Sequence, residues 1–277
     1  MRTLKLPGGA AVPVLGQGTW NMGDRAALRK QELAALRLGI ELGMSLIDTA
    51  EMYGDGASEQ LVGEAIEGRR DSVFLVSKVL PAHANKSATI AACERSLRRL
   101  RTDSIDLYLL HWRGNDPLFE TVSAFEKLKS DGKIGAWGVS NFDLDDMEEL
   151  TSVTSGGNVQ TNQVLYNLTR RGIEHDLMPW STQQGVPIMA YSPIEQARLL
   201  NNKLLGKIAA RHGASPSQIA LAWVLRQPGV LAIPKASSLA HVRDNAKSLD
   251  VVLTERDLEE LDQAFPPPKQ KLPLAML

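Results

Sequence analysis

Eight times along this chain a short apolar run gives way to a segment of helical period, and few folds are compatible with that alternation. The runs are Val14–Gly18, Ser45–Asp48, Val73–Ser77, Ile105–Leu110, Ile134–Val139, Val159–Val164, Val186–Ala190 and Val230–Ile233. Segments with apolar residues three or four apart separate them: Ala26–Leu42, Glu59–Ile66, Thr89–Leu100, Phe119–Leu128, Leu144–Leu150, Ile173–Gln184, Ile219–Leu225 and Leu239–Leu249. Ser215-Pro216-Ser217-Gln218 reads as a helix start, and Thr254–Phe265 as a further C-terminal helix. No element is assigned between residues 195 and 214. Strands each followed by a helix imply a parallel sheet. Eight such units without a linker or a shift in composition predict one α/β domain over residues 1–277, a (β/α)8 TIM barrel. An N-terminal hairpin, turning at Pro7-Gly8-Gly9, precedes it. A doubly wound sheet is the weaker reading, because Gly16-Gln17-Gly18 lacks the third glycine of a dinucleotide fingerprint.

Bulk properties narrow the function classes. A formal net charge of -1 provides no broad field for nucleic acid or an anionic membrane, so neither is an expected partner. The N-terminus has no signal-like apolar run and no stretch is long and apolar enough to span a bilayer, so the expected location is the cytoplasm. A monomer is the expected state. Cys93 falls in step with Ile90, Leu97 and Leu100, which marks it as buried filler rather than a reactive thiol.

In a barrel of this kind chemistry collects where the strands end. The second, third and fourth runs end in Asp48, Lys78 and His111, and Tyr53 follows on the loop after Asp48. Each residue alone has an ordinary explanation: a turn anchor, a solvated lysine, a structural histidine. Together, at one mouth, they fit proton donation to a carbonyl. A tyrosine with an ordinary pKa near 10 is a poor acid at neutral pH. A neighbouring ammonium is expected to lower that pKa, and Asp48 to keep the lysine charged. Histidine supplies a hydrogen bond to the substrate oxygen. No nucleophile sits beside a base, and Asp48, Glu51 and His111 make a poor metal set, so none is expected.

These residues and their neighbours resemble the aldo-keto reductases along nearly the whole chain. Asp48-Thr-Ala-Glu-Met-Tyr53-Gly54 with Ser58-Glu59 and Gly63 is similar to one family signature, and Leu109-Leu-His111-Trp112 carries the family histidine. Gly138-Val-Ser-Asn141-Phe142, Asn162-Gln163-Val164, Tyr191-Ser-Pro193 and Ile233-Pro-Lys235-Ala-Ser237 resemble its cofactor segments. In detail the chain looks like bacterial members that reduce methylglyoxal and similar small aldehydes. The resemblance implies an NADPH-dependent reductase with Tyr53 as general acid, Asp48 and Lys78 tuning it, and His111 orienting the carbonyl. It further implies that Gly18, Thr19, Trp20 and Asp48 border the nicotinamide. Ser140, Asn141 and Gln163 would bind its carboxamide, Tyr191 would stack on its ring, and Ser192, Pro193 and Ile194 would line the pyrophosphate.

Lys235, Ser237 and Ser238 would meet the adenosine end, where an ammonium beside a helix N-terminus suits the 2′-phosphate of NADP. Asp244 and Asn245 match the residues that contact adenine. One departure stands out: His241 occupies a position where many members carry arginine, which implies a modest preference over NADH. Trp20, Tyr53, His111 and Trp112 would face the substrate. The stretch from Arg113 to Pro117 and the tail after Phe265 are short, which predicts an open pocket and broad use of small aldehydes and dicarbonyls. Two other readings remain at this stage. One is a cofactor-binding regulatory subunit on the same fold, and the other a Schiff-base lyase using Lys78. Consumption of NADPH by an added dicarbonyl separates both from a reductase.

Overall fold

The computed structural model describes every residue from Met1 to Leu277. Strands β1 (Thr3–Lys5) and β2 (Ala11–Pro13) form the N-terminal hairpin, with Leu4 opposite Val12. The Gly8 N–H donates to Gln160 Oε1 at 2.6 Å, just before β8, so the hairpin docks at the end of the barrel opposite the strand C-termini.

Eight parallel strands follow in chain order: β3 (Gln17–Gly18), β4 (Leu46–Asp48), β5 (Phe74–Val79), β6 (Ile105–Leu110), β7 (Ile134–Ser140), β8 (Asn162–Leu165), β9 (Ile188–Tyr191) and β10 (Val230–Ala232). The ring closes between its first and last members. Gly16 N–H donates to Ala232 O and Ala232 N–H to Val14 O, both at 2.8 Å, and Gly18 N–H donates to Pro234 O at 3.1 Å. Closure is what requires glycine at 18, since a Cβ there would lie 2.7 Å from the Ile233 carbonyl oxygen.

The surrounding helices are α1 (Ala26–Glu41), α2 (Ala57–Ala65), α3 (Lys86–Leu100), α4 (Leu118–Ser130), α5 (Leu144–Ser152), α6 (Leu177–Gln184), α7 (Lys203–His212), α8 (Pro216–Leu225), α9 (Leu239–Ala246) and α10 (Glu255–Ala264). Their starts are written in the sequence. Asp143, Ser215 and Thr254 each form a reciprocal capping box with the third helical residue. Pro216, inside the first turn of α8, forfeits an N–H that has no partner there.

The structure differs from the sequence reading in three places. Helix α7 occupies part of the unassigned stretch: Asn202 caps it by accepting from the Leu204 and Leu205 N–H groups, Leu205, Ile208 and Ala209 face the core, and Gly213 ends it left-handed. The single segment expected over Ile173–Gln184 divides into a 3-10 turn (Gly172–Glu174) and α6, because the Asp176 carboxylate restarts the chain at the Leu177 N–H. Leu239–Leu249 likewise divides into α9 and a 3-10 turn over Lys247–Asp250. No helix is long and apolar enough to cross a membrane.

Between barrel and helices lies the main apolar layer. Phe125 of α4 stacks on Trp137 of β7 with ring centroids 5.6 Å apart, and Tyr108 of β6 meets Phe125 edge-on at 5.8 Å. Cys93 is fully buried, and burial pushes its thiol up to about 12, which makes it inert. The tail beyond α10 folds back over the barrel mouth. Lys271 reaches both Asp145 oxygens at 3.0 Å, and Leu272, Leu274 and Ala275 line a small cavity with Leu144, Leu165 and Ile173.

Candidate active site

Asp48 ends β4 opposite Val76 of β5, and Lys78 lies two residues further along β5, so both side chains share one face of the sheet. That face is the barrel interior. Ser77, on the opposite face, donates to Glu59 Oε1 of α2 at 2.6 Å, in the helical layer. The Lys78 side chain is 0% exposed and that of Asp48 3%. An isolated ammonium in such a place would be very costly. Here Lys78 Nζ donates to Asp48 Oδ2 at 2.8 Å, to the Thr49 carbonyl at 2.9 Å and to the Tyr53 phenolic oxygen at 3.1 Å, so all three N–H bonds have acceptors. Gln163 of β8, across the lumen, donates to Asp48 Oδ1 at 2.7 Å and holds the carboxylate from the far wall.

The loop that carries Tyr53 is pinned along its length. Thr19 Oγ1 donates to the Asp48 carbonyl at 2.8 Å, Ser58 Oγ donates to Thr19 Oγ1 at 2.7 Å, and Thr49 Oγ1 donates to Ser58 Oγ at 3.1 Å. Glu51 accepts the Leu80 N–H at 2.8 Å. Directly after Tyr53 the chain turns sharply through Gly54, Asp55 and Gly56, all at positive φ, and enters α2. Gly54 takes φ 57°, a left-handed conformation that favours glycine, and a Cβ there would also displace the Asp24 carboxylate.

Burial raises the Tyr53 phenol above its usual pKa; Lys78 opposes that rise and Asp48 reinforces it. The sequence reading expected the opposite net direction. Lys78 acts on the phenol as expected, but burial outweighs it. The phenol therefore keeps its proton at neutral pH. Because Lys78 donates to the phenolic oxygen, that proton points elsewhere. For Lys78 burial lowers the pKa, but the Asp48 charge, with the hydrogen bonds to Asp48 and to the Tyr53 oxygen, outweighs it and holds the ammonium above its ordinary range. Asp48 is raised by burial, against the pull of Lys78.

His111 follows β6, its N–H bonded to the Val79 carbonyl at 2.9 Å. Its ring meets Tyr53 edge-on at 5.8 Å and lies 5.0 Å from the Trp112 ring. Burial, helped by the Lys78 charge, pushes His111 down to about 2, so the imidazole is neutral. Its Nδ1 is enclosed without a protein partner. At the rim Trp20 and Met52 are exposed and Trp112 half-buried.

Farther round the mouth a hydrogen-bonded set joins β7, β8 and β9. Ser140 Oγ donates to the Gln163 carbonyl at 2.8 Å, Asn141 Nδ2 to Ser140 Oγ at 3.1 Å and to the His111 carbonyl at 3.0 Å, and Tyr191 OH to Asn141 Oδ1 at 3.0 Å. Asn141 and Ser192 both take positive φ, 55° and 46°. Burial pushes the Tyr191 phenol up to about 12, opposed by the Leu277 N–H, which brings the end of the tail to this ring. Pro193 is buried, and Ser192 and Ile194 half-buried, at the head of the following 3-10 turn.

At the edge between β10 and α9, Lys235 lies at the surface with no hydrogen-bonded carboxylate, and partial burial lowers its pKa. Ser238 caps α9 through the His241 N–H, and the Ser237 hydroxyl is buried without a partner. His241 is exposed and Asn245 buried. Asp244 has work of its own, accepting from Ser215, Ser217 and Gln218 at the start of α8. Thr19 is also committed, its hydroxyl spent on the Tyr53 loop.

Sequence reasoning brought Asp48, Tyr53, Lys78 and His111 together correctly in space, but missed the ties made by Ser58, Thr49, Glu59 and Glu51. All four stood in the quoted motif from Asp48 to Glu59, and Glu51 was weighed there only as a poor metal ligand; nothing in the sequence gave their partners.

Comparison with known proteins finds relatives over the whole length of the chain. A methylglyoxal reductase of Escherichia coli (strain K12), YeaE, is 53% identical over 281 residues, covering 100% of this chain and 99% of the relative. A glyoxal reductase of Bacillus subtilis (strain 168) is 35% identical, covering 94% of this chain and 91% of the relative. A crystal structure of an aldo/keto reductase from Klebsiella pneumoniae in complex with NADP and acetate superposes with a TM-score of 0.97 at 54% identity, covering 99% of each chain. The profile of the aldo/keto reductase family matches residues 14–265, and the chain belongs to that family.

Proposed function

We propose that this protein is an NADPH-dependent reductase of small aldehydes and dicarbonyls such as methylglyoxal, with Tyr53 as its general acid. The observation that carries the reading is the Lys78 ammonium, bonded at once to Asp48 and to the Tyr53 oxygen. A phenol placed this way holds its proton in the resting site. When it gives the proton to a carbonyl oxygen, the phenolate that forms already faces a positive charge, with no rearrangement needed. Asp48 balances that charge, and Gln163 keeps Asp48 from turning away. His111 stays neutral and offers a hydrogen bond to the same carbonyl oxygen. With Nδ1 enclosed and no acceptor beside it, the proton is better placed on Nε2. Trp20, Met52 and Trp112 supply apolar walls suited to a small substrate and provide no ion pair for a charged one.

The residues fit the cofactor. Lys235, free of any hydrogen-bonded carboxylate, the unpartnered Ser237 hydroxyl and the start of α9 form an anion site for the 2′-phosphate of NADP. Ser140, Asn141 and Gln163 present amide and hydroxyl groups to a carboxamide, and Tyr191 a ring face beside them. When bound, NADPH supplies the hydride for the carbonyl carbon. The names of the Escherichia coli and Bacillus subtilis relatives support the substrate class, and the NADP complex from Klebsiella pneumoniae supports the cofactor.

Absorbance loss of NADPH on adding methylglyoxal tests the activity, and Tyr53→Phe tests the acid. The variant should lose about 10²–10⁴-fold in kcat while binding NADPH as the wild type does. Undiminished turnover by Tyr53→Phe would remove Tyr53 from this role. NADPH binding without turnover on any small carbonyl would remove the reductase reading itself.

A further inference from the structure

Glu51 stands between Asp48 and Tyr53 in the chain, yet its carboxylate touches neither. It is 8% exposed, a costly place for a charge. Its Oε1 accepts the Leu80 N–H at 2.8 Å and faces His83 Nδ1 at 2.8 Å, and Arg95 of α3 lies 3.6 Å from its Oε2. The backbone makes the same connection, with the Glu51 N–H donating to the Lys78 carbonyl at 3.3 Å. Leu80 is two residues beyond Lys78, and Glu51 two before Tyr53. The segment carrying the phenol is thereby tied to the end of the strand carrying the ammonium. On the other side of Lys78, helix α2, entered after the turn that follows Tyr53, is tied to the strand as well, Ser77 donating to Glu59 at 2.6 Å with Arg99 balancing the charge through a 2.6 Å bond.

We infer that Glu51 is a positioning residue, which fixes the separation of the Tyr53 oxygen and the Lys78 ammonium by holding the Leu80 amide. This rests on Tyr53 being the proton donor, as proposed above. Glu51 acts through geometry rather than charge: Lys78 and Asp48 are the charged groups that act on the phenol. Its tie matters because the left-handed turn at Gly54, Asp55 and Gly56 follows directly. Glycines leave that turn free to adjust once the tie is cut. A displacement of the acid by about 1 Å costs on the order of 10²-fold in rate.

The tie can be cut from either side. Glu51→Ala removes the acceptor. Leu80→Pro removes the donor, and Leu80 already has φ -68° and ψ 146°, which proline accepts. Each should lower kcat about 10–100-fold with NADPH affinity, read by fluorescence titration, within about 2-fold of wild type. The kinetic isotope effect with deuterated NADPH should rise as chemistry becomes the slow step. The double variant should be no slower than either single one, because both cut the same bond. Glu51→Gln keeps an acceptor oxygen and should restore most of the rate. Wild-type kcat in Glu51→Ala or Leu80→Pro, additive losses in the double variant, or an effect confined to NADPH affinity or thermal midpoint overturns the inference. If Glu51→Ala does not fold, Leu80→Pro decides alone. Tyr53→Phe is run in parallel. An active Tyr53→Phe means the proton-donor reading has failed, whereas an inactive Tyr53→Phe beside an undiminished Glu51→Ala overturns only the positioning role.

Discussion

Replacing Lys78 by methionine should separate what the buried charge does for stability from what it does for chemistry. Methionine fills much the same space but leaves Asp48, 3% exposed, with only the Gln163 amide for company. Breaking one side of a buried pair costs about 3–5 kcal/mol. The variant escapes part of that cost by protonating Asp48. Burial already holds the Asp48 carboxyl above its ordinary value, and Lys78 is what pulls it down, so without the lysine it rises further. A carboxyl with a raised native pKa binds its proton more tightly in the folded than in the unfolded chain. Its contribution is therefore retained in acid and lost as pH climbs from about 4, at about 1.4 kcal/mol per pH unit until the carboxyl ionises. The stability gap between wild type and variant should be small near pH ~5 and reach about 3–5 kcal/mol by pH ~8.

Urea unfolding followed by tryptophan fluorescence at the two pH values measures the gap. A second variant, Asp48→Asn with Lys78→Met, replaces the stranded carboxylate by a neutral amide that still meets Gln163. It should recover most of the stability at pH ~8 and none of the turnover. A gap of equal size at both pH values, or a double variant weaker than the single one, would refute the account of Lys78 and Asp48 as a compensated pair.

Two further outcomes follow from other parts of the site. Burial holds His111 near a pKa of about 2, so below its ordinary value of about 6.5 the unfolded chain takes up a proton that the native chain refuses, and stability is lost as pH falls. His111→Asn should flatten that acid limb by up to about 3 kcal/mol between pH ~6.5 and ~4.5, and an unchanged limb in pH-dependent urea titrations would count against a neutral buried ring. Lys235→Met should weaken NADPH binding about 10–100-fold and leave NADH binding nearly unchanged, as read by fluorescence titration with each cofactor. Equal losses for both cofactors would place Lys235 away from the 2′-phosphate.

The barrel and the four polar side chains at its mouth were legible because both depend on periodicity. A strand of known direction fixes which end is the mouth, and alternation fixes which residues look inward. Helix α7 was legible too, from Asn202, Leu205, Ile208 and Gly213, but an eightfold count is already complete without it. The ties from Glu51 to Leu80 and from Gln163 to Asp48 were not legible. Each depends on the path of a flexible side chain between elements 29 and 115 residues apart in sequence. The net direction at Tyr53 was out of reach for another reason. Lys78 and burial act on the phenol with opposite signs, and only coordinates say how much water remains beside it.

Those long-range ties have a consequence for how the site works as a unit. From the Tyr53 oxygen, hydrogen bonds run through Lys78 Nζ to Asp48 and across the lumen to the Gln163 side chain, and from the backbone carbonyl of the same residue through Ser140 and Asn141 to the Tyr191 hydroxyl. The groups proposed to give the proton and those proposed to hold the nicotinamide are therefore one network. A carboxamide that recruits Ser140, Asn141 or Gln163 must compete with bonds inside it, and Gln163 is the member that meets both halves. Shortening its side chain, as in Gln163→Ala, leaves the backbone carbonyl bonded to Ser140 but removes the amide that serves both halves: Asp48 loses its restraint and the proposed carboxamide site loses an amide. Residues wired in this way do not contribute independently. Gln163→Ala combined with Tyr53→Phe should therefore lose much less than the product of the two single losses in kcat. Full additivity would mean that the two halves share hydrogen bonds without sharing function.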